Sequence, residues 1–155
     1  MAAGFTNKGL FTVLGWAVRA DAMPTYLYVA LWTSATAPDA DTNTMSDGTQ
    51  IATGNGYADG GYQLTPGATD FDVHTEDDTN DYAFVQIKDV VWTASGGPIP
   101  SSGGGARYAV LTDDNATVAN RLVIFYWDLT SDRSVSDGQA LTLQNLEMQL
   151  RQAAP

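Results

Sequence analysis

One histidine, His74, stands inside the acidic run DFDVHTEDDTND at residues 70–81. A lone imidazole beside carboxylates can serve as a general base or join a Ser–His–Asp triad. The triad needs a nucleophile on a sharp turn, and the G-x-S-x-G motif that builds one occurs nowhere in the chain. The same run carries Asp70, Asp72, Glu76, Asp77, Asp78 and Asp81. Calcium takes six to eight oxygen ligands, and acidic loops supply them. The EF-hand spacing is missing: there is no glycine at the sixth loop position and no glutamate at the twelfth. The reading that follows is an exposed acidic loop, with His74 solvated within it.

Other constellations give less. Paired carboxylates such as Asp70, Asp72 or Glu76 would suit glycoside hydrolysis, but no aromatic pocket around them is visible in the sequence. Glu147 alternates with apolar neighbours and is expected to face solvent. Trp16, Trp32, Trp92 and Trp127 could form a sugar platform, yet three of them lie in strand patterns that favour the core. GNGYADG, from Gly54 to Gly60, misses G-x-G-x-x-G by one residue and has no strand and helix around it to cradle a phosphate. Asn115-Ala116-Thr117 matches a glycosylation acceptor by chance. No catalytic, cofactor-binding or metal-binding residues are expected, and no enzymatic activity.

Composition narrows the partners. The formal charge is −11, and Lys8 and Lys88 are the lysines. Nucleic-acid binding draws on a cationic surface that releases counterions, so DNA and RNA are not expected partners. An anionic membrane surface would repel the chain as well. With no cysteine, disulfides, zinc–thiolate sites and thiol catalysis are excluded. Lys8, the apolar stretch 9–18 and Ala20-Asp21-Ala22 imitate a secretion signal, but Arg19 is misplaced between such a core and its cleavage site.

The elements that must hold these residues read as β. Leu10, Phe11, Leu14 and Val18 share one helical face, so a short helix is expected over about residues 7–18 with Asn7 as N-cap. Gly9 and Gly15 each weaken it by roughly 1 kcal/mol relative to Ala, so it needs a surface to pack on. Pro24 ends it. Residues 25–32 (TYLYVALW) are apolar on both faces, as in a central strand. Residues 34–50 read as an exposed loop, and Gly60-Gly61 within 57–65 as a hairpin turn or bulge. Residues 82–93 give one bent strand or two around Lys88-Asp89. Residues 95–105 (SGGPIPSSGGG) must loop across the surface. Residues 107–112 and 122–129 pair through a turn at Asp113-Asp114-Asn115, and Asp137-Gly138 marks another turn. Leu141 and Leu143 change parity to Leu146, Met148 and Leu150, which implies a bulge near Asn145. The expected fold is a single all-β domain over residues 1–155: an antiparallel β-sandwich, jelly roll or similar barrel with a short N-terminal helix.

Three collinear segments resemble small tailed-phage virion proteins. The first runs from Lys8 to Trp32 and on into TSATAPDADTNT. The second is TGNGYADGGYQLT, whose Gly56, Tyr57, Gly60, Gly61 and Leu64 resemble a Gly-Tyr-x-x-Gly-Gly-x-x-Leu signature. The third joins DVVWTASGG, ARYAVLTDD and LVIFYWDLTSDRSVSDGQALTLQ. The resemblance departs from the family in the length of the link at 95–105. It implies a phage particle component, small, β-rich and without enzymatic machinery; with the acidic surface and single-domain size, the expected role is a capsid decoration or cement protein that binds the outer shell of the head. The implied partners are the major capsid protein and sister subunits in a homo-oligomer. The implied location is the capsid surface, reached from the host cytoplasm. A tail or fibre adaptor for host attachment is the alternative, and a small glycan-degrading virion enzyme a remoter one. The helix and the Gly-rich loop are the candidate contact elements.

Overall fold

The computed structural model describes residues 2–151. Ten strands run in the order β1 (Ala3–Phe5), β2 (Leu27–Trp32), β3 (Tyr62–Leu64), β4 (Val73–Asp77), β5 (Tyr82–Ile87), β6 (Val90–Thr93), β7 (Ala106–Thr112), β8 (Val123–Arg133), β9 (Ala140–Leu143) and β10 (Leu146–Arg151). A helix, α1 (Asn7–Leu14), continues into a π turn at Gly15–Arg19, and single 3-10 turns lie at Met45–Asp47 and Val118–Asn120. The strands form three antiparallel sheets: β1-β8-β7-β2-β3, β10-β5-β4 and β6-β9. Each keeps free edges, so the chain is an all-β, multi-sheet fold without a closed barrel.

The two-sided apolar pattern of β2 decides the centre. Leu27, Val29 and Leu31 enter the main core, while Ala30 and Trp32 point the other way into a second cluster with Met45, Val110 and Val123. The main core draws on every sheet: Leu31 and Leu64 from the first, Ile87 and Leu146 from the second, Trp92 and Leu141 from the third. Each large side chain buried there contributes roughly 1.5–3 kcal/mol. Trp32, Trp92 and Trp127 are all buried, as their strand patterns predict.

Tyr57 ties the signature segment to this core. The backbone turns tightly between Gly54 and Tyr57, then passes Gly60 and Gly61 at φ +79° and +84° into β3. A Cβ on Gly61 would collide with the Val29 carbonyl oxygen, so glycine here allows β3 to lie flush on β2. The expected turn is present, but it feeds a strand from a loop and joins no hairpin.

Several expectations are corrected. The N-cap of α1 is Thr6, not Asn7: its Oγ1 accepts from Gly9 N–H at 2.8 Å and donates to the Val123 carbonyl at 2.7 Å. Regular α-helix stops at Leu14 rather than Val18, and Ala20 closes the π turn at φ 59°. Residues 73–77 are not loop but the edge strand β4, and only the tip beyond Asp77 turns. Glu76 and Asp77 put charge on this edge strand, which discourages pairing with another chain. The parity change at Asn145 (φ 56°) is a break between strands of two different sheets, not a bulge within one. The link after Asp113 is longer than a tight turn and includes Val118–Asn120. Within 34–50, Met45 and Thr42 are buried. Residues 82–93 do split at Lys88-Asp89, and 95–105 is irregular, though Ile99 is buried and bridges to Val135.

Candidate functional site

The residues singled out for chemistry do not converge. Asp70 is buried and committed: Lys88 Nζ lies 2.6 Å from Oδ1, and Thr65 N–H donates to Oδ2 at 2.7 Å. The ammonium and the amide hold its carboxyl below the usual range. Asp77 accepts from the Thr79 and Asn80 amides and from Asn80 Nδ2, which lowers it as well and builds the β4–β5 turn. Glu76 shares a shallow cleft with Asp77, Asp78 and Asp81, away from Asp70 and Asp72. Among the described residues, no group of three or more His, Asp or Glu side chains is arranged to hold a metal ion. His74 is exposed on the edge strand β4, directly opposite Val85.

A cleft of about 670 Å³ separates the free edges of β1 and β10. The Trp127 indole N–H crosses its floor to the Glu147 carbonyl at 2.8 Å. Glu147 is half-buried here rather than solvated.

The surface that stands out is apolar, and it lies on α1. The helix packs on β8 through Gly9, where a Cβ would collide with the Ile124 carbonyl oxygen, and through the partly buried Val13 and Trp16. That leaves the larger apolar stripe on the outside: Leu10, Phe11, Leu14 and Val18 are 40%, 66%, 60% and 76% exposed, and Met23 just beyond is 56% exposed. Glycine permits the closest approach of a helix to a strand, so the 9–13–16 stripe wins the inner position over the larger one. The outward stripe leaves a few hundred Å² of apolar surface bare, within the range of the largest patch on a typical monomer.

Beside α1 lies a second apolar feature that the sequence reading missed. Registers Met148↔Val85 and Leu150↔Ala83 put these four side chains on one face of the β10-β5-β4 sheet. With Phe5 and Val13 they line a groove of about 200 Å³. Leu150 is exposed, and the far end of the groove reaches the acidic β4–β5 turn. The signal was available: Ala83, Val85 and Ile87 alternate as Leu146, Met148 and Leu150 do.

The arrangement is suited to holding another protein: an outward apolar helix face, an adjacent apolar groove and free sheet edges. No family model, no curated protein and no solved structure matches this chain.

Proposed function

We propose that this chain is a structural component of a tailed-phage particle, a capsid decoration protein that binds the outer shell of the head and reinforces it. The observation that carries the reading is the outward apolar face of α1, since the largest apolar patch on a protein of this size is often a functional contact surface. The resemblance of the three sequence segments to virion proteins supplies the kind of assembly. The charge of −11 fits a protein displayed densely without aggregating. On this reading the chain is not an enzyme and needs no cofactor; its partners are the major capsid protein and its own sister subunits, and its place is the capsid surface. We also read the layering of the sheets as an antiparallel sandwich of jelly-roll type, supported by a main core that takes side chains from all three sheets.

The test is binding of the purified chain to expanded capsids that lack it, read by co-sedimentation and by cryo-electron microscopy of the intact particle. Regular density over the head is expected. Failure to bind, or density confined to the tail or its fibres, overturns the decoration reading; the latter moves the chain to a tail or host-attachment role.

A further inference from the structure

The cleft of about 670 Å³ between β1 and β10 shares no residue with the contact proposed for α1. One of its walls is a single face of β10. The register on β5 sets Glu147, Gln149 and Arg151 opposite in direction to Leu146, Met148 and Leu150, so this wall is turned away from the apolar groove beside α1. Asn145, at φ 56°, extends the row where the chain enters the strand. A carboxylate, a carboxamide and a guanidinium thus stand in line and order one another. Gln149 Nε2 donates to Glu147 Oε2 at 3.2 Å, and Arg151 Nη2 donates to Gln149 Oε1 at 2.9 Å. The guanidinium also lies over the Tyr82 ring, 4.7 Å from its centre. These bonds occupy Glu147 and Arg151 at one atom each. Among the described residues nothing takes up Glu147 Oε1, Arg151 Nε and Nη1 or the Asn145 carboxamide, which are left to a ligand. The facing wall is Ala2 and Ala3, apolar and small enough to leave the cleft its width.

These features select a class of ligand. The volume falls in the range of about 300–1,000 Å³ that small-molecule sites occupy. The lining holds one carboxylate and one guanidinium, so it calls for no net charge on the ligand. Phe125 and Trp127 form the floor but are 2% and 1% exposed, and they offer no ring face to a flat aromatic ligand. An extended peptide added along β10 would need the Glu147 carbonyl, which the Trp127 indole N–H already holds at 2.8 Å. A row of alternating acceptors and donors is matched by groups that each donate and accept, which is the property of a hydroxyl. Sugars carry such hydroxyls side by side, and their C–H faces suit a wall of alanines. We propose that the β1–β10 cleft binds a short neutral oligosaccharide, with Asn145, Glu147, Gln149 and Arg151 pairing with its hydroxyls and Ala2 and Ala3 meeting its apolar face.

The purified full chain is screened on an array of neutral and acidic oligosaccharides. The neutral ones retained are then titrated by calorimetry and against the amide spectrum of nitrogen-labelled protein. Millimolar or tighter binding is expected, with shifts confined to the side-chain amides of Asn145 and Gln149 and the backbone of β1 and β10. Gln149→Ala and Arg151→Ala each weaken it by about tenfold, the loss of roughly one hydrogen bond to the ligand. Ala3→Phe fills the cleft from the opposite wall and abolishes binding, and circular dichroism shows all three variants folded. Retention of no neutral sugar overturns the proposal, as does a preference for sulfated or carboxylated sugars. Binding that survives all three variants, or shifts centred on the groove beside α1, overturns it as well. Co-sedimentation with capsids reads the decoration role separately, so a chain that binds capsids and no sugar sinks this inference alone.

Discussion

The hydroxyl of Tyr57 fills a gap on the edge of β2, between β3 and the segment 49–51 that pairs with Leu31 O and Thr33 N–H. In β2, the edge away from β7 is covered by β3 only over Leu27, Tyr28 and Val29. Beyond that the Leu31 N–H, fully buried, donates to Tyr57 Oη at 2.9 Å. Tyr57→Phe keeps the ring and its packing on Trp92, whose centre lies 5.7 Å away, and removes only the acceptor. A buried amide left without a partner costs about 1–3 kcal/mol. Taking about 2 kcal/mol, the folded-to-unfolded ratio drops some thirtyfold, and at this chain length the melting temperature falls by roughly 4–8 °C. Urea denaturation should show an earlier midpoint with an unchanged slope. Burial pushes the Tyr57 phenol well above its ordinary value, so the folded state holds this proton where the unfolded chain releases it. Stability from the neutral phenol is thus complete below about pH 10 and declines as pH rises beyond it. The gap between wild type and Tyr57→Phe should accordingly narrow above about pH 10. A Phe variant within about 0.5 kcal/mol of wild type at neutral pH would refute this role for the hydroxyl, because such a change is what an uncoupled surface site gives. Tyr57→Ala adds a cavity and should cost about 3–5 kcal/mol.

Three further outcomes are expected. Asp70→Asn should cost about 1–3 kcal/mol at pH 7, through loss of charge-assisted bonds to Lys88 and Thr65. Since the folded carboxyl titrates below its unfolded value, that stabilisation is present above about pH 4 and disappears as pH falls further, so denaturation curves of the two proteins should converge in acid. Thr6→Val removes both the helix cap and the tie to β8, and should cost about 1–2 kcal/mol with faster amide exchange in α1 than in β7. Gly61→Ala places a Cβ against the Val29 carbonyl at a positive φ and should destabilise by more than the 1–3 kcal/mol of backbone strain alone, measured by the same urea titration.

Local pattern determined a good part of this protein. The alternation in residues 25–32 identified a strand buried on both faces, and β2 is that strand. Lys88-Asp89 marked a bend or break within 82–93, and Gly and Pro marked 95–105 as irregular, because turn chemistry and side-chain period are properties of neighbouring residues. The strand character of the tryptophan segments likewise assigned Trp32, Trp92 and Trp127 to the interior.

What tertiary structure alone decided was direction and partnership. The helix carries two stripes, 10–11–14–18 and 9–13–16, and hydrophobicity ranks the wrong one inward. The choice depends on how closely a backbone can approach β8, which Gly9 allows and a larger side chain would not. The run 70–81 has the composition of a solvated loop, yet β5 offered it a pairing edge, and backbone hydrogen bonding to that neighbour outweighed its own propensity. Tyr57 as the acceptor for Leu31, and Asp70 as the partner of Lys88, join residues far apart in the chain. Periodicity reports which side of an element is apolar. Which apolar side is covered depends on shapes that meet only after folding, and here that left the larger stripe of α1 outside, where another protein can reach it.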